Sequence, residues 1–374
     1  MINPSSHGGL VIRKQALIPA AKSHPAAVPS LRLKDLAATL GLSQSTVSRA
    51  LNGAGDQYRI SPGTQKRILE AAEQFNYAPN ALAQQLRQKR SYTMGVIVPE
   101  ISEGYAAAVL SGIEDALFQE KFFYFVVSHR HQPDLLREYP RILLARSVEG
   151  LIVVDTPLYE EFPVPVVSVS GHQKHKSMIA IELDHLSAAR SALTHLLDLG
   201  HRKIAFIKGQ DFSSDTELRW KSIRRICAEL FLPIDSTLVV QLEGNSAGSE
   251  PGYAATCKLL ARGKIFTALF AFNDLSAIGA MTALHEHGFQ IPSDISIVGF
   301  DDIPAAATVR PSLTTVRQPL HNMGNIAAIE ALRLIQGAKT TYPKKFNTKS
   351  IQVQPIFVER ESTTQAPTVA RHKR

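Results

Sequence analysis

From Tyr92 to about residue 301, short apolar runs alternate with segments of helical spacing, and the whole pattern occurs twice, which narrows the possible folds more than any other feature of the chain. The first set runs MGVIVP, a helix near residues 105–120, FFYFVV, a helix near 134–146, GLIVV and VPVVSV. Beyond Asp184 come a helix to Leu199, KIAFI, a helix near 217–230, STLVV, a helix near 251–262, FTALFAF, a helix near 274–287 and ISIVGF. Strands that read as continuous apolar runs are buried on both faces, as in a parallel sheet covered by helices. Two such sets predict two doubly wound α/β subdomains with a cleft between them. In open sheets of this kind ligands meet the carboxyl ends of the strands. The residues placed there are Glu100, Ser128, Asp155, Ser170, Asn273 and Asp301.

With 44% hydrophobic residues the chain can bury a sizeable core, yet it has no uninterrupted apolar run of about 18 residues, so no membrane-spanning helix is expected. The first thirty residues contain Pro4, Pro19, Pro25 and Pro29 and no apolar stretch able to serve as a signal-peptide core. They read as a disordered arm. The two cysteines, Cys227 and Cys257, form no C-x-x-C motif, which suits a reducing cytoplasm.

Charge divides the chain unevenly. Residues 1–91 hold 12 Lys and Arg against 4 Asp and Glu, and residues 92–374 hold 29 against 29, so the net charge of +8 belongs to the first quarter. A basic end beside a neutral remainder fits contact with a polyanion, nucleic acid first, and fits a solvated basic tail as well. Patterning separates the two. In LRLKDLAATLGLSQSTVSRALN, Leu33, Leu36, Ala37 and Leu40 recur at helical spacing and Gly41 supplies a left-handed stop. Ser43 caps a second helix that buries Val47, Ala50 and Leu51 and turns Gln44, Ser45, Ser48 and Arg49 outward. These side chains are of the types that reach base edges and phosphates in a major groove. The pattern is a helix-turn-helix. A third helix from Ser61 and Pro62 through Thr64, Ile68, Leu69, Ala72 and Phe75 to Tyr77 closes a three-helix core, and PNALAQQLRQKRS follows as a helix too short to stand alone in water.

These segments resemble the lactose-repressor (LacI/GalR) family of bacterial transcription regulators over about residues 31–361. The resemblance is carried by KDLAATLGLSQSTVSRALN and RILEAAEQFNYAPNALAQQLR and, downstream, by LTHLLDLGHRKIAFI, AFNDLSAIGAM and GFDDIPAAATVRPSLTTVRQPL. It implies an N-terminal all-α helix-turn-helix head with a hinge helix, and an α/β core of two doubly wound subdomains of the periplasmic-binding-protein type. By the same resemblance Gln44, Ser45 and Arg49 read base edges, and Ser43, Thr46, Ser48, Asn52, Thr64, Tyr77 and Asn80 contact phosphates. Ala83 and Leu86 match the hinge positions that wedge into the minor groove from two subunits. In the core, Arg219, Asn273 and Asp301 match effector-binding positions, with Tyr105 as the aromatic of the first subdomain.

The implied organisation is an arm over 1–30, the head over 31–78, the hinge over 79–91, the core over 92–361 and a basic tail over 362–374. Within the core the first subdomain takes about 92–182 and 317–337, the second about 183–316 and 338–361. The implied function is that of a sequence-specific DNA-binding repressor in the cytoplasm. It acts as a homodimer on a pseudo-palindromic operator in double-stranded DNA and is controlled by a small polar effector, a sugar or related metabolite; a solute- or sugar-binding receptor without a regulatory role is the alternative. No cofactor, metal site or membrane partner is expected, and no enzyme motif of the G-x-S-x-G, Walker or H-E-x-x-H kind occurs. His201 is expected to be structural and SHRHQ (His129, His131) a solvated loop. The chain departs from the family pattern in three places. GAGDQYRI, between Asn52 and Ser61, is a few residues longer than the common form and brings in Tyr58 and Arg59. EISEGYAAAV replaces an aromatic-rich stretch, and Ser170 stands where an acidic residue is usual, ahead of His172 and His175.

Overall fold

The computed structural model describes residues 32–77, 90–102, 104–170, 178–246, 248–337 and 349–368. They fall into two units that divide between Lys89 and Arg90. The first unit contains α1 (Leu33–Leu40), α2 (Gln44–Leu51) and α3 (Pro62–Gln74). Gly41, at φ 65°, ends α1 in the left-handed region where a Cβ would be strained, and the Leu42 N–H returns to the Ala37 carbonyl at 3.0 Å. Ser43 and Ser61 cap α2 and α3 by accepting from the Thr46 and Thr64 N–H groups. Leu36, Ala37, Val47, Ala50, Ile68, Ala71 and Ala72 form the core. Leu69 and Phe75, expected on the inner stripe, are exposed. With Ile68 and Ala72 facing inward the helical period gives the neighbouring inner place to Ala71 and turns Leu69 out. Arg67 donates through Nη2 to the Leu40 carbonyl at 3.0 Å, tying α3 to the end of α1.

The second unit follows β1 (Thr93–Val98), α4 (Gly104–Gln119), β2 (Phe123–Ser128), α5 (Pro133–Ala145), β3 (Gly150–Val154), β4 (Val166–Val169), β5 (Met178–Leu183), α6 (His185–Asp198), β6 (Ile204–Lys208) and α7 (Asp215–Glu229). It continues with β7 (Val239–Gln241), α8 (Glu250–Ala261), β8 (Ala268–Phe270), α9 (Asp274–Glu286), β9 (Ser296–Asp301), α10 (Pro304–Thr308), β10 (Thr314–Arg317), α11 (Leu320–Gly337), β11 (Lys349–Val353) and β12 (Ile356–Val358). Among the described residues two six-stranded sheets form, in the orders β11-β5-β4-β3-β1-β2 and β12-β10-β9-β8-β6-β7. All pairings are parallel except that of β10 with β12. In each lobe the order reverses beside the first strand, β1 and β6, and such a switch point leaves a crevice at the carboxyl ends.

The inner strands are almost wholly apolar and buried, as the alternation requires, whereas β2, expected to be covered on both faces, lies at a sheet edge and is only partly buried. In the first lobe α4 and α11 cross with backbones nearly touching. A Cβ on Gly112 would lie 1.8 Å from the His321 carbonyl oxygen, and one on Gly324 would lie 2.0 Å from that of Val109. Only glycine admits that approach, so both positions are fixed by packing.

Two expected boundaries change. Residues 349–353 were assigned to the second subdomain, but β11 pairs with β5 in the first sheet, from Lys349 opposite Ile179 to Val353 opposite Leu183. The chain therefore passes between lobes three times, after β5, after β10 and after β11. Residues 362–366 were assigned to a free tail and are instead woven into the second lobe. Ser362 is fully buried, its carbonyl accepts from the Ile297 N–H at 2.8 Å, and its Oγ accepts from the Thr314 N–H at 2.8 Å. His201, also fully buried, binds this segment, with Nε2 3.0 Å from the Thr364 carbonyl and from Ser296 Oγ, and Nδ1 2.9 Å from Thr267 Oγ1. No described helix is long and apolar enough to cross a membrane.

Candidate nucleic-acid interface and ligand cleft

On the head, Gln44, Ser45 and Arg49 are all exposed along α2 while Val47 and Ala50 face the core. The short hydroxyls around them are already oriented. Ser43 Oγ lies 2.9 Å from Ser45 Oγ and 2.8 Å from Thr46 Oγ1, and Thr64 Oγ1 lies 2.9 Å from Ser61 Oγ. Asn52 donates through Nδ2 to the Ser48 carbonyl at 2.6 Å, fixing both side chains at the end of α2. Tyr77 is partly buried, which raises its phenol pKa. Asn80, Ala83 and Leu86 lie outside the described residues. Residues 32–77 hold six basic and four acidic side chains, so the head carries little of the excess charge.

In the second unit, Tyr105, Asp155, Arg219, Asn273 and Asp301 line one cleft between the lobes, with about 750 Å³ of space between atoms when its open mouth is included. Arg219 is the cleft's central side chain and is almost fully buried. Its guanidinium lies 3.7 Å from the centre of the Phe300 ring and 4.4 Å from that of Phe272. Its Nη1 donates to the Phe272 carbonyl, and its Nη2 donates to Asp215 Oδ2 at 3.1 Å. Asp215 was not among the expected site residues, although its place four before Arg219 on one helix signals the pair. Its Oδ1 is also 3.7 Å from His185 Nε2.

Asp301, at φ 109°, accepts from Gln318 Nε2 at 2.6 Å, and burial, opposed by Arg219, pushes its carboxyl up to about 7. Burial and then the Asp215 charge push Asp155 up to about 7 as well. Asp155 faces the second lobe rather than the centre of the cleft. It accepts from the Ser214 N–H at 3.0 Å, from Ser213 Oγ at 3.2 Å and from Ser214 Oγ, so a carboxylate of one lobe sits at the N-terminal end of α7 in the other. It clasps the lobes together. Asn273 caps α9, its Oδ1 accepting from the Ser276 N–H at 2.9 Å. The adjacent Asp274 is fully buried and accepts from Thr315 Oγ1 and the Ile303 N–H, with its carboxyl pushed up to about 8 by burial.

Three of the residues chosen at strand ends stay out of the cleft wall. Ser128 ends β2, the edge strand of its sheet, and donates to the Pro99 carbonyl at 3.0 Å. Glu100 accepts from the Ile101 N–H at 3.1 Å and lies near His131. Ser170 is buried behind Tyr105, and its carbonyl accepts from Ser214 Oγ. The carboxyl-end rule names every strand, whereas only those near the two switch points reach the crevice. SHRHQ is not a solvated loop: His129 is buried, its Nε2 is 3.1 Å from Thr156 Oγ1, and burial lowers its pKa to about 4. His131 lines the cleft and packs on Phe212 of the opposite lobe with ring centres 3.8 Å apart. No group of three or more metal-ligating side chains occurs among the described residues.

Arg219 Nε is buried in the cleft wall without a hydrogen-bond partner, and Tyr105 Oη is buried there with Ser170 Oγ beside it. Buried polar atoms are nearly always fully paired, so these two donors in the wall of one cavity mark a place where a polar ligand completes the bonding. A helix-turn-helix head and a ligand-accepting two-lobed core on one chain define the class of DNA-binding regulators that respond to small molecules.

The comparisons agree on the family. A profile of bacterial regulatory proteins of the lacI family matches residues 32–80, and one of periplasmic-binding-protein-like domains matches residues 193–363. Catabolite control protein A of Priestia megaterium is 31% identical over 344 residues, covering 89% of this chain and 99% of the relative. Among solved structures, the lac repressor dimer bound to operator and the anti-inducer ONPF superposes with a TM-score of 0.78 at 27% identity, over 89% of this chain and 99% of that one. A complex of the transcriptional regulator CelR with cellobiose gives 0.65 at 26%, over 88% and 99%. The chain belongs to the lacI family of bacterial regulatory proteins.

Proposed function

We propose that the protein is a homodimeric repressor whose two heads occupy the half-sites of a pseudo-palindromic operator, and whose grip is controlled by an uncharged, polyhydroxylated effector of the sugar type. Gln44, Ser45 and Arg49 read base edges, with Arg49 suited to guanine because its planar fork matches two major-groove acceptors. Ser43, Thr46, Ser48, Asn52, Thr64, Tyr77 and Asn80 set the register on phosphates. Residues 79–91 form the hinge, where Ala83 and Leu86 enter the minor groove. Lac repressor on its operator and CelR with cellobiose support the two halves of this reading.

The buried donors Arg219 Nε, which has no partner, and Tyr105 Oη, which has only Ser170 beside it, carry the effector assignment. Two carboxylates, Asp215 and Asp301, lie beside a single cation, Arg219, which Asp215 already pairs, and Asp155 adds a third to the same cleft wall. An anion entering this cleft meets repulsion, whereas hydroxyl groups can both donate to Asp301 and accept from Arg219 and Tyr105. Effector binding acts on transcription to the extent that it favours one lobe arrangement over the other. The Asp155 clasp is the element it biases.

The test is calorimetric and thermal titration with neutral sugars and their phosphates. Neutral sugars that bind raise the melting temperature, and their phosphates bind more weakly. Asp301 has a folded pKa near 7, above the ordinary carboxyl value, and a ligand hydroxyl donating to it favours the ionised form. Binding should therefore release protons near pH 7, up to about half a proton from this carboxyl, and affinity should rise from pH 6 to pH 8. Proton uptake on binding, or tighter binding of the phosphate, would contradict the assignment.

A further inference from the structure

The loop from Gly53 to Ile60, where the chain departs from the family's common length, is firmly built. The Ala54 N–H returns to the Arg49 carbonyl at 2.9 Å, and the Ile60 N–H to the Gly55 carbonyl at 2.9 Å. Gln65, on α3, donates through Nε2 to Asp56 Oδ1 and to the Ile60 carbonyl, both at 2.8 Å. Its side chain lies where a Cβ on Gly55 would be, 2.2 Å from Gln65 Cδ, so loop and helix interlock. Arg59, at φ 56°, completes the turn that brings Tyr58 back over α2. The result is one specific contact. The Arg49 guanidinium lies over the Tyr58 ring, 3.8 Å from its centre, and both side chains are exposed at the surface that carries Gln44 and Ser45.

A guanidinium carries its five N–H donors in its own plane, so an aromatic ring on its face leaves the hydrogen-bonding edge open. No hydrogen bond or ion pair holds the Arg49 guanidinium among the described residues. Without the ring, its long side chain would sample many rotamers and lose that freedom on reaching a base. Resting on the proposal that Arg49 reads a base edge, we propose that Tyr58 is a positioning residue that holds the guanidinium edge-on to the duplex and so sets how sharply one base pair of each half-site is discriminated. The hydroxyl has no part in this. The aromatic face acts, and the lengthened loop exists to deliver it.

The experiment uses the full-length protein and duplexes that the wild type selects from a random pool, with each base pair then substituted in turn. An exposed cation–π contact is worth roughly two- to fivefold in an equilibrium constant, and the two half-sites compound this to roughly four- to 25-fold. Y58L is expected to lose that factor at the base pair read by Arg49 and at no other, with non-specific affinity unchanged. Y58F and Y58W are expected to keep wild-type discrimination, and Y58L is expected to add nothing in an Arg49→Ala background. Loss spread evenly over all base pairs overturns the proposal, as does Y58F behaving like Y58L, which would assign the effect to the hydroxyl on a phosphate. Wild-type discrimination in Y58L overturns it while leaving the regulator reading intact. Failure of the wild type to select any duplex would sink both.

Discussion

Arg219→Met is expected to remove the thermal response to every cleft ligand and to cost roughly 3–5 kcal/mol of folding stability, the usual result of stripping one partner from a buried ion pair. The Arg219 and Asp215 side chains are 5% and 6% exposed, and Asp301 adds a second carboxyl near the same guanidinium. Loss of the cation leaves those carboxylates uncompensated in a site with little water. At about 2–4 °C per kcal/mol for a domain of this size, the melting temperature should drop on the order of 10 °C. The double variant Asp215→Leu with Arg219→Met separates the two roles. Removing both charges should restore most of the stability, because the desolvation penalty goes with them, while the ligand response stays lost. Melting curves of the three proteins with and without ligand measure both effects. A single variant that melts like the wild type and still responds would contradict the description of the cleft.

Arg49→Ala is expected to flatten base preference at one position of each half-site. A bidentate contact is worth roughly 1–3 kcal/mol of discrimination, and the two heads of a dimer double it, so specific affinity should fall by about 30- to 2 × 10⁴-fold. Binding to random DNA should fall far less, since residues 32–77 keep five other basic side chains. Competition binding against singly substituted operators gives the profile. An equal loss on every sequence would assign Arg49 to the phosphate backbone.

Much of this architecture is legible in the sequence because parallel strands buried on both faces leave continuous apolar runs, and GLIVV or ISIVGF are hard to read otherwise. The strands that escaped notice are those that break this pattern: β5 carries Glu182, β10 opens with Thr314 and Thr315, and β11 and β12 are edge strands. The head was legible through its caps, since Gly41, Ser43 and Ser61 all act by local geometry. The cleft was read only in part. Arg219, Asn273 and Asp301 sit in segments that resemble the family, and Asp215 lies one helical turn from Arg219, whereas His131, Phe212 and Gln318 come from distant points and meet their partners only in the folded chain. The role of Asp155 as a clasp depends on Ser213 and Ser214 of the other lobe, which spacing along the chain does not reveal. The Arg49–Tyr58 stack depends in the same way on the path of a loop.

Fragment-enrichment binding bears most directly on the whole scheme: sheared DNA from the source genome is incubated with the intact protein beside an excess of random competitor, with and without the sugar that gives the largest thermal shift. The scheme predicts a small set of enriched fragments sharing a two-fold symmetric sequence, and a change in their retention when the sugar is added. Retention of all fragments in proportion to their length, unaltered by any sugar, would contradict it.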